Sequence, residues 1–117
     1  MITFLDPKKS RVATLETNGA AQNLNALLAT SYNFILLSTD ETTGFDIHIR
    51  MDGNDAEDPD SLPATPTPGM VLFLVAGSPQ PLAFDANKAV EISVFAATGK
   101  TIKVSSAAIR TDSRGAV

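Results

Sequence analysis

Residues 45–51 restrict the fold more than any other part of this sequence, because apolar and polar side chains alternate there without a break. The apolar and then the polar positions are Phe45, Ile47, Ile49 and Met51, and Asp46, His48 and Arg50. Successive side chains of a β-strand point to opposite faces. The alternation therefore predicts a strand with one face on a core and the other face in water.

Six other segments have the composition or the alternation of strands, and turn residues separate them. They are residues 11–16, 32–38, 70–75, 81–84, 89–95 and 101–105. The segment 70–75 (MVLFLV) is apolar throughout, which predicts a strand that is covered on both faces. Prolines place the segment 81–84 at a sheet edge. The polar, glycine-containing connections 39–44 and 96–100 predict hairpins.

Short strands at regular spacing predict a mainly β fold, an antiparallel β-sandwich or a small barrel. A jelly-roll-like sandwich and an immunoglobulin-like sandwich both remain open. Residues 20–30 have helical spacing and contain Ala and Leu, which favour helices. We therefore expect at most one short helix, and an extended segment is the alternative there.

The length of 117 residues is enough for one domain. We expect an N-terminal arm over residues 1–10, a single β-sandwich domain over residues 11–109 and a flexible C-terminal tail over residues 110–117. The connection 52–69 contains acidic residues and then prolines. Loops of this length in small domains are uncommon and are often functional or mobile.

Composition excludes several classes of site and partner. The chain has no cysteine and one histidine, so it has no disulfide and no cysteine-based metal site. No apolar run has the length of about 20 residues that spans a bilayer, and we expect no membrane partner. Net charge is −4, and five acids lie in one stretch: Asp52, Asp55, Glu57, Asp58 and Asp60.

The remaining charges are nearly balanced, which argues against a nucleic-acid partner, since binding to phosphates needs a basic face. Two small basic clusters lie near the termini, one at Lys8, Lys9 and Arg11 and one at Arg110 and Arg114. We interpret both clusters as solvated terminal segments. The alternative is that they are docking arms for an acidic surface.

Candidate chemistry is sparse. His48 could act as a base with Ser38 and Asp46, but no serine lies in a nucleophile-elbow motif. We therefore expect His48 to be an exposed polar residue of its strand. The acidic stretch also offers oxygen ligands for calcium, at Asp52, Asn54, Asp55, Glu57, Asp58 and Asp60. Its spacing does not follow the calcium-loop pattern. We expect a solvated loop, with an ion site or a charge-complementary partner contact as alternatives, and we assign no catalytic, cofactor or metal residue.

Residues 45–109 also show a recognisable order of elements. An alternating strand (FDIHIRMDG) leads to a Thr-Pro loop (TPTPG), a hydrophobic strand (MVLFLV), a Pro-flanked strand (PQPLAF) and a hairpin (AVEISVFAATGKTIKV). This order resembles the small β-sandwich virion proteins of tailed bacteriophages, such as head-decoration (cement) proteins and tail accessory proteins. The resemblance covers strand-and-turn order and no signature residues.

The resemblance implies a non-enzymatic structural subunit without a cofactor, most specifically a capsid decoration subunit. Its partners would be the major capsid protein or other virion proteins, together with further copies of itself as a homo-oligomer. Its location would be the virion, after assembly in the host cytoplasm. A tail, neck or fibre accessory protein is the first alternative. A module that recognises a host glycan or protein is the second.

Overall fold

The computed structural model describes residues 2–24, 33–63, 66–83 and 92–112, and eight strands lie within them. The strands are β1 Ile2–Glu16, β2 Gln22–Asn23, β3 Phe34–Ser38, β4 Phe45–Arg50, β5 Met70–Leu74, β6 Gln80–Ala83, β7 Ser93–Phe95 and β8 Thr101–Asp112. A short 3₁₀ helix over Pro59–Ser61 lies in the connection between β4 and β5. The fold is mainly β, as the sequence predicts.

The strands form two antiparallel four-stranded sheets. Sheet A has the order β1-β8-β3-β6, and sheet B has the order β2-β7-β4-β5. Thus β1 pairs with β8, β2 with β7, β3 with β6 and β4 with β5. This is the order of a jelly roll, in which one long antiparallel hairpin is rolled into two sheets. An immunoglobulin-like sandwich distributes its strands differently, so the structure favours the first of the two predicted sandwich types.

The core lies between the two sheets and is built from alternate residues of their strands. In β4 these are Phe45, Ile47 and Ile49, of which Ile47 is fully buried. The facing strands of sheet A contribute further aliphatic side chains, Ile35, Leu37, Ile102 and Val104. Ile92 and Val94 are also buried. The inward facing predicted for Phe45, Ile47 and Ile49 is confirmed, whereas Met51, predicted on the same face, is 36% exposed.

Two threonines form hydrogen bonds that hold the connections running from one sheet to the other. The Thr17 hydroxyl donates to the carbonyl of Ala97 and accepts from the backbone N–H of Lys100 at 2.8 Å. The Thr39 hydroxyl donates to the carbonyl of Thr101 at 2.7 Å. Both threonines are buried. Since buried hydroxyls are costly without partners, these contacts hold the start of β8 against the ends of β1 and β3.

Several sequence predictions differ from the structure. The connections 39–44 and 96–100 are not hairpins, because the strands on either side of each connection lie in different sheets. The 1–10 boundary of the expected arm falls inside β1, whose residues 2–6 pair with β8. Strand β8 likewise extends past the expected tail boundary to Asp112. The reason is that the two long strands pair with each other over residues 2–6 and again over residues 11–16 of β1.

The predicted helix over residues 20–30 falls mostly outside the described residues. The part that is described contains the short strand Gln22–Asn23, which pairs with β7, and the buried residue Leu24. Val90 and residues 84–91 around it also lie outside the described residues, as does the tail from residue 113. Among the described residues, no helix has the length and apolarity that a membrane crossing requires.

Candidate interaction surface

The outer face of sheet B divides into a covered half and a bare half. The covered part lies at His48 of β4, on which the connection 52–69 folds back, whereas Asp46 on the same face of this strand is exposed. His48 points to this outer face and is only 1% exposed. Its Nδ1 accepts a hydrogen bond from the backbone N–H of Glu57 at 2.9 Å, and its Nε2 lies 3.0 Å from the carbonyl oxygen of Pro68. Nδ1 also lies 3.2 Å from the carbonyl oxygen of Glu57, so both ring nitrogens face backbone groups of the connection.

Other contacts hold the same connection on the sheet. The backbone N–H of Ala56 donates to the hydroxyl of Ser93 at 2.9 Å, and both residues are buried. Gly69 has φ of 102°, and a Cβ there would clash with the carbonyl of Ile49 and would lie 2.9 Å from His48 Nε2. Glycine at this position therefore allows the connection to approach β4 closely before β5 begins.

The bare half is β5, the edge strand of sheet B. The exposed fractions are 46% for Val71, 55% for Phe73 and 50% for Val75, all on the outer face. Met51 and Met70 are also exposed, at 36% and 39%. We call these five side chains the apolar edge. Contiguous exposed apolar side chains of this kind mark interaction sites in soluble proteins.

Phe73 is the largest side chain of the apolar edge, and the backbone of Gly44 supports its ring. A Cβ at Gly44 would lie 2.5 Å from Cε1 of Phe73 and 2.6 Å from the carbonyl oxygen of Leu74. The ring thus packs on bare backbone and leaves its other face to solvent. A large apolar side chain that is already fixed in place loses little entropy when a partner covers it.

β5 is also the least protected edge of the two sheets. Proteins protect edge strands with charges, prolines, bulges or short length. Among the described strands, β2 has two residues, β6 contains Pro81, and the pairing of β1 shifts register between Asp6 and Arg11. β5 has five residues with no charge and no proline. Its free backbone groups are therefore open to another strand.

An open groove of about 530 Å³ continues from the apolar edge into the space between the sheets. Ile49, Met51 and Met70 line it from sheet B, and Leu82 and Ala83 line it from β6. No charged residue occurs in the sequence from Ser61 to Phe84. The groove and the apolar edge thus form an apolar side of the molecule, with Asp52 at its rim.

The acidic stretch lies beside this apolar side, and local turns use two of its carboxylates. Asp52 accepts from Arg50, with Oδ2 at 2.5 Å from Nη2, and from the backbone N–H of Asn54. Asp58 accepts from the backbone N–H of Asp60 at 2.9 Å. The hydrogen bond from Arg50 holds the pKa of Asp52 well below its usual range. Among the described residues, no three acidic or histidine side chains converge on a possible metal position.

The predicted exposure of His48 is wrong, and so is the predicted coverage of residues 70–75. His48 is buried because the acidic connection lies over it, and the outer face of β5 is exposed because none of the described residues covers it. The catalytic combination considered for His48 is not assembled: Ser38 belongs to sheet A, and both ring nitrogens of His48 face backbone groups. Asp46 is exposed on the outer face of β4.

No family model, no curated protein and no solved structure matches this chain. Functional inference therefore rests on the fold and on the apolar side itself. The apolar edge was not among the predicted features, although the absence of charge from Ser61 to Phe84 is a sequence signal for it. A strand that is apolar on both faces can lie in the interior or can be an edge that associates with another molecule, and composition does not separate the two.

Proposed function

We propose that this protein is a non-enzymatic structural subunit of a tailed-phage virion, most specifically a decoration subunit that binds the assembled capsid. The observation that carries the proposal is the apolar edge. Val71, Phe73 and Val75 are each at least 46% exposed on one rigid sheet. Covering such side chains with a protein surface releases about 25 cal/mol for each Å² of apolar area. The surface is suited to adhesion.

The strand order supports the same proposal at the level of architecture. Jelly rolls occur in viral capsid proteins, in lectins and in cupins. The fold alone does not distinguish among these functions. The choice among them therefore depends on the residues of the site. A cupin-like metal centre has no support, because the one histidine holds two backbone groups. A glycan platform has little support, because β5 itself contains no polar residue and presents a single aromatic ring, that of Phe73, whose one polar cross-strand partner is Asp46.

A decoration subunit acts through many equal contacts on a symmetric particle. Each contact of the apolar edge is small, and a short edge strand buries less than the roughly 800 Å² per partner of a standard interface. Copies that are fixed on one shell meet at high effective concentration, so weak contacts add up to firm attachment. The shell gains stability because the decoration copies bind the assembled shell and do not bind its separated subunits.

The test uses empty capsid shells assembled from the major capsid protein encoded in the same genome. Purified protein is added in increasing amounts, and the bound copies per shell and the melting temperature of the shell are measured. We expect saturation at a symmetric copy number and a higher melting temperature. Phe73→Asp should reduce binding at least tenfold, because a carboxylate would enter an apolar contact.

The matched control is Val12→Asp. Val12 is a 77% exposed apolar residue on β1, in the other sheet. This variant should bind shells like the wild type. A protein that neither binds nor stabilises shells is not a decoration subunit. Binding to purified tails but not to shells would identify the tail accessory role, and binding to a glycan array alone would identify a recognition module.

A further inference from the structure

We propose that β5 pairs with β5 of a second copy of this chain, in antiparallel orientation about a two-fold axis at Leu72. The two B sheets would then form one continuous eight-stranded sheet. This inference deepens the proposed function, since it rests on the apolar edge being an assembly contact and names its partner. Three features of β5 favour this pairing: an open edge, a neutral surface and a self-complementary register.

The open edge provides the hydrogen bonds. One side of β5 pairs with β4 over residues 70–74, and the other side has no strand beside it among the described residues. An extended segment that pairs there satisfies the unpaired backbone groups of β5. The edge of β6, on the same side of the sandwich, is less suited to pairing, because Pro81 has no N–H to donate.

The charge distribution of the chain favours a second copy of the same chain over a partner that carries a net charge. Each copy carries a net charge of −4, and five of its acids lie in the stretch from Asp52 to Asp60. Identical surfaces that carry charge repel each other, so two copies meet best through a neutral surface. The uncharged stretch from Ser61 to Phe84 includes all of β5 and β6. A basic partner would instead be drawn to the acidic stretch.

The register of β5 is complementary to itself. An antiparallel two-fold at Leu72 places Val71 of one copy opposite Phe73 of the other, on the same outer face. Pairs of an aromatic and a β-branched residue are among the favourable cross-strand combinations. Val75 would lie opposite Gly69, where no side chain competes for space. The two exposed rings and four exposed valines would thus form one apolar stripe across the dimer.

The first test measures the mass of the full-length wild-type chain by sedimentation velocity over a wide concentration range. We expect a reversible dimer with a dissociation constant in the micromolar range or weaker, since the contact is smaller than a standard interface. Phe73→Lys should raise the dissociation constant at least tenfold. Val12→Lys, the same kind of change on β1, should leave the constant unchanged, and circular dichroism checks that both variants are folded.

The second test examines the register and benefits from the absence of native cysteine. Chains carrying Val71→Cys and chains carrying Phe73→Cys are treated separately and as a mixture with a mild oxidant. The proposed register brings residue 71 against residue 73 of the partner, so cross-linked dimer should form in the mixture and at least tenfold less in either chain alone. Equal cross-linking in all three samples would refute the register.

The outcomes separate this inference from the proposed function. A chain that stays monomeric at all concentrations, or a dimer that Val12→Lys weakens as much as Phe73→Lys does, overturns the β5 contact. Shell binding that still depends on Phe73 would then leave the decoration role standing. If the dimer forms as described and shells are neither bound nor stabilised, the β5 contact stands and the decoration role fails.

Discussion

Strands β4 and β5 are neighbours in sheet B, yet their outer faces have opposite environments. The outer face of β4 is polar in sequence and includes His48, which is 1% exposed. The outer face of β5 is apolar, and its Phe73 is 55% exposed. The connection between the two strands causes the difference, because it folds over His48 and leaves the outer face of β5 uncovered. Exposure on this face depends on what lies over the sheet and not on the polarity of the strand.

This comparison suggests a division of roles. The buried polar residues His48 of β4 and Ser93 of β7 hold backbone groups of the connection, so they contribute to stability. The exposed apolar residues of β5 contribute nothing comparable to the monomer and are available to a partner. Substitutions of buried residues on β4 should therefore affect folding, and substitutions of exposed residues on β5 should affect association.

The largest expected effect comes from placing a charge on an inward position of β4. Ile47→Asp should cost more than about 4 kcal/mol, because an unpaired carboxylate would enter the core. Ile92→Asp should act in the same way, since Ile92 is also fully buried. Val71→Asp, at an outward position of β5, should cost less than about 1 kcal/mol. Urea unfolding compares the three, and a stable Ile47→Asp variant would contradict the assigned facing of β4.

The second largest effect should come from His48→Ala. The change leaves the N–H of Glu57 and the carbonyl of Pro68 without their partner and opens a cavity, so we expect a loss of about 2–4 kcal/mol. The connection 52–69 should also become sensitive to proteases under native conditions.

The control for His48→Ala is Asp46→Ala, because Asp46 is exposed on the same face of the same strand. Asp46→Ala should change stability by no more than about 0.5 kcal/mol. Equal losses in the two variants, or an unchanged protease pattern in His48→Ala, would show that the imidazole does not hold the connection.

The sequence correctly predicted the elements whose structure follows from a local pattern of residues. It did not predict the features that depend on contacts between residues far apart in the chain. The alternation at residues 45–51 correctly predicted a strand with Ile47 and Ile49 inward, and the prolines correctly placed β6 at an edge. The same alternation predicted that the side chain of His48 is exposed to solvent. It is buried because Glu57 and Pro68 reach it from the connection. No local pattern reports such a contact.

The position of β5 was unpredictable for a related reason. A run of six apolar residues is consistent with a strand that has neighbours on both sides and with an edge strand that has one. Only the strand order places β5 outside β4 with nothing beyond it in the described sheet. The sheet crossings at residues 39–44 and 96–100 were likewise set by packing, since turn residues alone do not distinguish a hairpin from a crossing.

A moderate effect is expected from Ser93→Ala, which tests the second contact of the covering connection. The buried N–H of Ala56 would lose its acceptor, at a cost of about 1–3 kcal/mol. Ser78→Ala is the control, because Ser78 is exposed in the turn after β5. Thermal unfolding of the two variants measures the difference. A Ser93→Ala variant as stable as the wild type would mean that water replaces the hydroxyl or that the connection shifts.

The smallest effect should come from Asp52→Asn, at the exposed ion pair that begins the connection. Because the hydrogen bond from Arg50 lowers the pKa of Asp52 in the folded state, the unfolded chain takes up this proton first as pH falls. The stability that the carboxylate contributes is therefore present above about pH 4 and is lost progressively below it. The difference between the wild type and Asp52→Asn should shrink in the same range and in concentrated salt, which screens exposed charges. Urea unfolding at several pH values and salt concentrations measures this difference in stability.

A difference as large as that of His48→Ala, or one that salt leaves unchanged, would mean that charge rather than buried backbone contact holds the connection on β4.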